Sequence, residues 1–230
     1  MSRRVVITGM GAITPLGNDV ASTWDGLVSG RSGITRIARF DPAPYETQIA
    51  GEVKGFDPLA YMDRKDVRHA DRFAQLAVGS AAQAIQDAKL DVKAESERIG
   101  VAIATGVGGL ETLVEQVLVM ERRGPGRLSP FLVPMLMANA ASAQTSMQFG
   151  LRGPSLTHVS ACASSAHAIG ESAEMIKRGM AEVIVAGGSE AAVLPVAIGA
   201  FSTMHAMSRR NDDPAGASRP FDKEIGRAHV

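Results

Sequence analysis

Four short runs of small and β-branched apolar residues alternate with stretches of helical periodicity along this sequence. The runs predict strands at 3–9, 98–106, 155–161 and 181–190. Helical patterns follow at 70–90, 109–122, 135–150 and from Cys162 to near Gly179, and an earlier helix is capped by Asn18 or Asp19 and ends at Gly30. Strands that alternate with helices predict an α/β fold, with a parallel or mixed sheet covered by helices on both faces.

The 230 residues are enough for one large domain or two small ones. Residues 31–57 are rich in turn formers and predict an irregular surface segment. No short tandem repeat or Pro/Ser-rich linker divides the chain, so a single α/β domain is the simplest interpretation.

Charge and cysteine content exclude several classes of function. Lys and Arg together number 24, as do Asp and Glu, so no global field attracts nucleic acid or an anionic membrane. No apolar run approaches the length of a membrane span, and the N-terminal run is too short for a signal peptide. A single cysteine cannot form an internal disulfide. These features predict a soluble, cytoplasmic protein.

The one cysteine, Cys162, lies where almost every neighbour is small, in the stretch HVSACASSAHAIGE. A lone cysteine is often an inert, buried side chain. Here, however, the predicted strand-to-helix junction supplies backbone N–H groups and the positive end of a helix dipole, which favour a thiolate and hold a developing oxyanion. Small neighbours also leave room for a bulky substrate, so Cys162 is a candidate nucleophile.

A histidine that could serve as base for Cys162 is not evident nearby. His167 lies five helical residues away, about 140° around the helix, and we expect it to be a packed core residue. His158 lies on the preceding strand and does not point at the helix start. We therefore expect no local Cys–His pair.

Three glycine-rich stretches, and the spacing of Cys and His residues, say less about function than Cys162 does. GMGAIT (9–14) departs from a dinucleotide fingerprint at Thr14 and predicts a tight turn. TGVGGLE (105–111) lacks the ending of a phosphate loop, and AGGSEA (186–191) is not a nucleophile elbow. No Cys/His cluster has the spacing of a metal site.

Taken together, the motifs resemble the condensing enzymes of fatty-acid synthesis. The resemblance is to the β-ketoacyl-acyl-carrier-protein synthase II type of the thiolase-like superfamily. The segments that carry it include RRVVITGMGAITPLGNDV, DRKDVRHADRFAQLA, IGVAIATGVGGL, SPFLVPMLMANAASAQ, GLRGPSLTHVSACASSAHAIGE and AEVIVAGGSE, in order over nearly all of 3–224. It implies a thiolase-like layered fold, of which residues 1–224 form an N-terminal part with a mixed, mostly parallel sheet covered by helices.

The resemblance also implies the chemistry. Cys162 accepts an acyl chain from acyl carrier protein as a thioester, and decarboxylation of malonyl carrier protein gives a carbanion that extends the chain by two carbons. No cofactor is implied, because the substrates are carried on the phosphopantetheine of the carrier protein. Val107 and Phe201 match positions that line or gate the acyl pocket, although ordinary core packing is an equal alternative for both.

Carrier-protein docking is the remaining implied interaction, besides a homodimer in the full-length family. The basic residues that match a docking patch are Arg64, Lys65 and Arg68, with Arg127 as an extension. Asp63, Asp66 and Asp71 are interleaved with them, and the alternative is a mixed, solvated face.

The resemblance stops at Glu224. The family's histidine and lysine strings, of the forms HGTxTxxxD and KxxxGHxxGAxG, do not occur, and residues 225–230 read as a non-family tail. We therefore expect acyl transfer to Cys162 without condensation by this chain alone. Two other functions stay open: the ketosynthase of a polyketide system, and a non-catalytic fragment that dimerises or binds carrier protein.

Overall fold

The computed structural model describes residues 3–220, which form eight α-helices and five strands. They are α1 (Val20–Val28), β1 (Ile34–Arg36), β2 (Ile49–Gly51), α2 (Arg64–Val67), α3 (Arg72–Asp87), β3 (Ile99–Ala104), α4 (Leu110–Arg123), α5 (Leu132–Leu136), α6 (Ala140–Phe149), β4 (Ser155–Leu156), α7 (Ser164–Lys177), β5 (Val183–Gly188) and α8 (Pro195–Thr203). Short 3₁₀ turns lie at Pro58–Ala60, Ser96–Arg98, Pro125–Arg127 and Ala161–Ala163. Within residues 3–220, no helix is both long and apolar enough to cross a membrane.

The chain forms two compact units, and the first contains residues 3–11 and Asp57–Ala191. Its parallel sheet has the order β4-β3-β5, in which Val101 pairs with both Ser155 and Val185. All six residues of the central strand β3 are buried, as expected for a parallel strand covered on both faces. The predicted α/β fold with a parallel, helix-covered sheet is confirmed.

Helices α3 and α6 form the core with β3. Residues of α3 spaced three and four apart, among them Phe73, Ala77 and Ala81, are buried in one cluster with Ile99, Val101 and Ile103. Helix α7 packs on β3 and β5. Alternate strand residues face opposite sides of a sheet, so β3 gives each helix layer its own set of small and branched side chains.

The predicted strand at 3–9 is wrong. Residues 3–11 form no ladder, and Ile7 is 81% exposed. The segment instead lies against α3, where a Cβ at Gly9 or Gly11 would collide with helix backbone and the Met10 amide donates to the Asp87 carboxylate over 2.9 Å. An apolar run becomes a strand only when a neighbouring edge accepts its hydrogen bonds.

The predicted strand at 155–161 is correct only for its first two residues. Beyond Leu156 the ladder gives way to side-chain hydroxyls, because Ser142 Oγ donates to the Leu156 carbonyl over 2.7 Å and Thr157 Oγ1 to the Ile103 carbonyl over 3.2 Å. Ser142 is 1% exposed. These hydroxyls take over main-chain partners and end the strand early.

The second unit contains Ala12–Phe56 and residues 192–220. As predicted, Asp19 caps α1, its carboxylate accepting from the Ser22 amide over 2.7 Å. The expectation that 31–57 is irregular is wrong in part, because β1 and β2 form an antiparallel ribbon there. The backbone amide of Gln48 donates to Asn211 Oδ1 over 2.8 Å. The two residues are 163 positions apart along the chain, so local sequence does not reveal this contact.

Candidate active site

Cys162 occupies a tight turn at the start of a long helix. The turn Ala161–Ala163 leads directly into α7, and the Cys162 thiol is free and exposed. This is the predicted place, at the mouth of a helix whose positive end stabilises negative charge. Ala161 has φ +52°, an uncommon left-handed conformation for a residue with a side chain, so the backbone just before the thiol is strained.

Local hydroxyls hold this nucleophile turn (residues 160–163). Ser164 is 3% exposed, and its Oγ accepts from the Ser160 amide over 2.8 Å and donates to the Ala161 carbonyl over 2.7 Å. The Ala163 amide also donates to the Ser160 carbonyl over 3.2 Å. The backbone on both sides of Cys162 is therefore restrained from within, which keeps an exposed thiol in a defined place.

His167 differs from the expectation of a packed core residue. It is exposed on α7, and its Nδ1 lies 2.6 Å from Ser160 Oγ. The reason is that Ser164, Ala168, Ser172 and Met175 form the buried face of α7, and His167 lies outside that face. His167 contacts the residue that begins the nucleophile turn. His158 is half-buried, and its Nδ1 has no hydrogen-bond partner among residues 3–220.

A second turn, the glycine turn (residues 105–109), follows β3 and lies beside the nucleophile turn. Its Gly106 and Val107 amides donate to one carboxylate oxygen of Glu190, over 2.8 and 3.1 Å. A Cβ placed on Gly106 would lie 3.6 Å from the Ala161 Cα. Val107, the next residue, is 48% exposed and lies outside the core of this unit.

Phe201 belongs to the other unit. It lies on α8 and is 44% exposed within the described part of the chain.

The basic residues of the predicted docking patch lie at the surface. Arg64 and Lys65 are on α2, Arg68 ends it, and Arg127 is in the turn Pro125–Arg127; all four are exposed. No ion pair within residues 3–220 involves them. Asp71 is only 4% exposed and accepts hydrogen bonds from Thr112, so its charge is turned away from this surface.

Helix α4, which follows the glycine turn, carries the carboxyl group with a perturbed pKa in this region. The side chain of Glu115 is largely exposed, yet partial burial of its carboxyl raises its pKa above the ordinary 4.5, and the charges of Glu111 and Asp71 raise it further. Within residues 3–220, no group of three or more His, Cys, Asp or Glu side chains is placed to hold a metal.

Comparison with known proteins identifies the family. A family model described as "Beta-ketoacyl synthase, N-terminal domain" matches residues 2–228. The chain belongs to the β-ketoacyl synthase family.

Relatives of known sequence support this assignment. The 3-oxoacyl-[acyl-carrier-protein] synthase 2 of Synechocystis sp. is 45% identical over 223 residues, which cover 96% of this chain and 54% of that protein. The synthase of the same name from Coxiella burnetii is 43% identical over 222 residues, again 54% of its length. This β-ketoacyl synthase chain thus spans about half the length of the curated relatives it matches.

Solved structures agree. A β-ketoacyl synthase from Burkholderia phymatum superposes with a TM-score of 0.87 at 31% identity, covering 99% of this chain and 56% of that one. A type II polyketide ketosynthase, solved in complex with its acyl-carrier protein, superposes with a TM-score of 0.77 at 25% identity, covering 90% of this chain and 58% of that one. The predicted family and fold are confirmed.

The roles of Cys162, Val107, Phe201 and the basic patch stay predictions. The domain limit at Glu224 and the tail at 225–230 also stay predictions, since residues 221–230 lie outside the described part.

Sequence reasoning missed the residues that hold the two turns. Ser164 and Ser160 bracket Cys162 at a spacing of four, a pattern that could have indicated a hydroxyl-tied turn. Glu190 belongs to the stretch AGGSEA, and its position just after β5 could have indicated a residue at the carboxyl edge of the sheet. Nothing in the local sequence connects it to Gly106.

Proposed function

We propose that this chain is the acyl-accepting part of a β-ketoacyl-[acyl-carrier-protein] synthase of fatty-acid elongation. The observation that carries the proposal is the exposed thiol of Cys162 on a strained, hydroxyl-tied turn at the head of α7. A thiolate placed there can attack a thioester, and the N-terminus of the helix stabilises the oxyanion that forms.

The acyl transfer proceeds in one exchange. The Cys162 thiolate attacks the thioester carbonyl of an acyl group carried on phosphopantetheine, a new C–S bond forms, and the bond to the phosphopantetheine sulfur breaks. That sulfur leaves as a thiolate and takes a proton from solvent. The donor is acyl carrier protein, and no other cofactor takes part.

Condensation is the second half of the proposed reaction. Malonyl carrier protein loses CO₂, the electron pair of the broken C–C bond attacks the acyl carbonyl, and the Cys162 thiolate leaves. The family's two histidine strings do not occur in residues 1–230. We therefore assign the transfer, and not the condensation, to this chain alone.

Intact-mass measurement of the 230-residue chain with an acyl carrier-protein donor tests the transfer. We expect a single adduct of the acyl mass, which is removed by hydroxylamine and is absent from Cys162→Ala. A correctly folded chain that shows no adduct would contradict the proposal and favour the non-catalytic, carrier-binding alternative.

The basic patch of Arg64, Lys65, Arg68 and Arg127 is the proposed docking surface for the acidic carrier protein. Its support is the exposure of all four side chains and the turning inward of Asp71. Arg68→Glu should weaken carrier-protein binding about tenfold at low salt, and the loss should shrink as salt rises. Lys93→Glu, an exposed charge reversal elsewhere, is the matched control, and equal affinities for both variants would remove the patch.

A polyketide ketosynthase is the second candidate, favoured by the likeness to a polyketide ketosynthase structure. The chemistry at Cys162 is the same, so the acyl donor decides. Faster transfer of saturated long-chain acyl groups than of short polyketide-type groups supports fatty-acid elongation, with Val107 and Phe201 as the proposed pocket residues.

Homodimerisation and a cytoplasmic location complete the proposal. The edge strand β4 leaves Leu156 45% exposed and nearby Val159 58% exposed, which a second copy would cover. If light scattering shows only monomers for a chain that is active in acyl transfer, the proposed homodimer is wrong.

The proposed cytoplasmic location has separate support, because the single cysteine fits a reducing compartment.

A further inference from the structure

The position of Glu190 follows from the topology of the sheet. Strands β3 and β5 are parallel neighbours whose paired residues end at Ala104 and Gly188, and the Ser189 amide continues the pairing by donating to the Ala104 carbonyl over 2.9 Å. The carboxyl ends of parallel neighbours meet at one edge. A side chain two residues beyond β5 therefore reaches the turn that follows β3.

One oxygen of Glu190 holds two successive amides of the glycine turn, those of Gly106 and Val107, over 2.8 and 3.1 Å. The next two amides of the turn donate only to neutral oxygens: that of Gly108 to Thr105 Oγ1 over 3.1 Å, and that of Gly109 to a backbone carbonyl. A segment with three glycines has little rigidity of its own. Hydrogen bonds to a carboxylate are stronger than those to neutral acceptors, so Glu190 is the main restraint on this backbone.

The restrained segment lies against the nucleophile turn. A Cβ on Gly106 would lie 3.1 Å from the Glu190 oxygen and 3.6 Å from the Ala161 Cα, so carboxylate, glycine turn and nucleophile turn meet in one small space. Val107, at 48% exposure, is the first bulky side chain beyond this junction.

We infer that Glu190 is a positioning residue, which fixes the Gly106–Val107 backbone so that Val107 guides a long acyl chain to Cys162. The inference rests on the proposed acyl transfer. It requires no contact between Glu190 and the reacting atoms, since the carboxylate acts through the two amides. A small electrophile, which does not need Val107, should therefore be insensitive to Glu190.

Two substitutions separate hydrogen bonding from charge. Glu190→Gln keeps an oxygen that can accept from both amides and removes the negative charge, whereas Glu190→Ala removes both. A positioning role predicts that Gln restores function and Ala does not. A purely electrostatic effect on the thiol predicts the same change in both variants.

The experiment measures initial rates of Cys162 modification in the 230-residue chain by intact mass, with a long-chain acyl donor, an acetyl donor and iodoacetamide. For Glu190→Ala we expect the long-chain rate to fall about tenfold, because small misplacements of a guiding group cost one to two orders of magnitude. The acetyl and iodoacetamide rates should stay within about twofold, and Glu190→Gln should stay within about threefold of wild type for every reagent. Glu121→Ala, an exposed position on α4, is the matched control.

Hydrogen exchange of the 105–109 peptide provides a second readout that does not depend on acylation. Exchange should be faster in Glu190→Ala and close to wild type in Glu190→Gln. Unchanged exchange, or an unchanged long-chain rate in an acylating chain, overturns the role of Glu190 and leaves the proposed function intact. A wild-type chain that reacts with iodoacetamide and never with thioesters overturns the proposed function, and the acyl-guiding role with it.

Discussion

The glycine turn and the nucleophile turn follow neighbouring parallel strands, yet they are held in opposite ways. The glycine turn has Gly109 as the N-cap of α4, without a side-chain cap, and is restrained from outside by Glu190, while Asp71 holds the first turn of the helix that follows. The nucleophile turn is restrained from inside by Ser164. The difference suggests a division of roles: the thiol needs a fixed local geometry, while the neighbouring turn can be adjusted by residues far away in the sequence.

Removal of Asp71, the external restraint on α4, should have the largest effect on stability. Asp71 is buried and accepts from the Phe73 amide, at 3.3 Å, and from the Thr112 amide and hydroxyl, at 2.9 and 2.7 Å. Asp71→Ala leaves these donors unpaired and should lower the free energy of unfolding by about 3 kcal/mol, measured by denaturant titration. Asp71→Asn retains one acceptor and should lose less. Asp63→Ala, at an exposed position whose carboxylate makes no cap hydrogen bond, should lose almost nothing. A loss below about 1 kcal/mol for Asp71→Ala would mean that α4 does not depend on an external cap.

Removal of Ser164, the internal restraint on the nucleophile turn, should lower the free energy of unfolding somewhat less. It should, however, lower the reactivity of Cys162 more. Ser164→Ala leaves the Ser160 amide and the Ala161 carbonyl without their partner and should lower the unfolding free energy by about 2 kcal/mol. The strained Ala161 should relax, and acylation of Cys162 should slow. Ser165→Ala, one residue later, is the control. If Ser164→Ala is acylated at the wild-type rate, the nucleophile turn does not need its internal tie.

These restraints also show how far sequence could lead. Local signals gave α1 with its Asp19 cap, the buried strand β3 and the place of Cys162 at the start of α7, because each depends on residues close together in the chain. The strand predicted at 3–9 is wrong. The apolar pattern of Val5, Val6 and Ile7 does not reveal whether the edge of a neighbouring strand is free to pair with this segment.

The long-range ties were invisible for the same reason. Glu190 contacts Gly106 across 84 positions and Asp71 contacts Thr112 across 41, and neither pair has a local signature. The interleaving of Asp71 with the basic patch predicts a surface charge, yet the fold buries it. Sequence pattern thus located the thiol, while the residues that hold its surroundings required the structure.

The end of β5 offers a smaller test of whether Ser164 alone is enough to hold the nucleophile turn in place. A Cβ on Gly188 would lie 2.7 Å from Ser165 Cβ, too close for real atoms, whereas a Cβ on Gly187 meets nothing within 4 Å. Gly188→Ala should therefore shift the start of α7 and lower the unfolding free energy by about 1 kcal/mol more than Gly187→Ala. Acylation that falls in Gly188→Ala and not in Gly187→Ala would show that β5 also positions Cys162. Equal acylation rates in the two variants would mean that the hydrogen bonds of Ser164 are sufficient to position Cys162.

The smallest effect concerns the charge environment of α4. Because partial burial, then Glu111, then Asp71 raise the pKa of Glu115, the folded chain binds this proton more tightly than the unfolded chain does. Ionised Glu115 therefore lowers stability above the raised pKa, and the penalty disappears as the pH falls below the ordinary value of 4.5. Glu115→Gln should raise the melting temperature slightly at pH 7 and leave it unchanged near pH 4. In an Asp71→Asn background the gain at pH 7 should be smaller, because one of the repelling charges is gone. A gain that is independent of pH would instead indicate a packing effect of the substitution and no electrostatic coupling of Glu115 to Asp71.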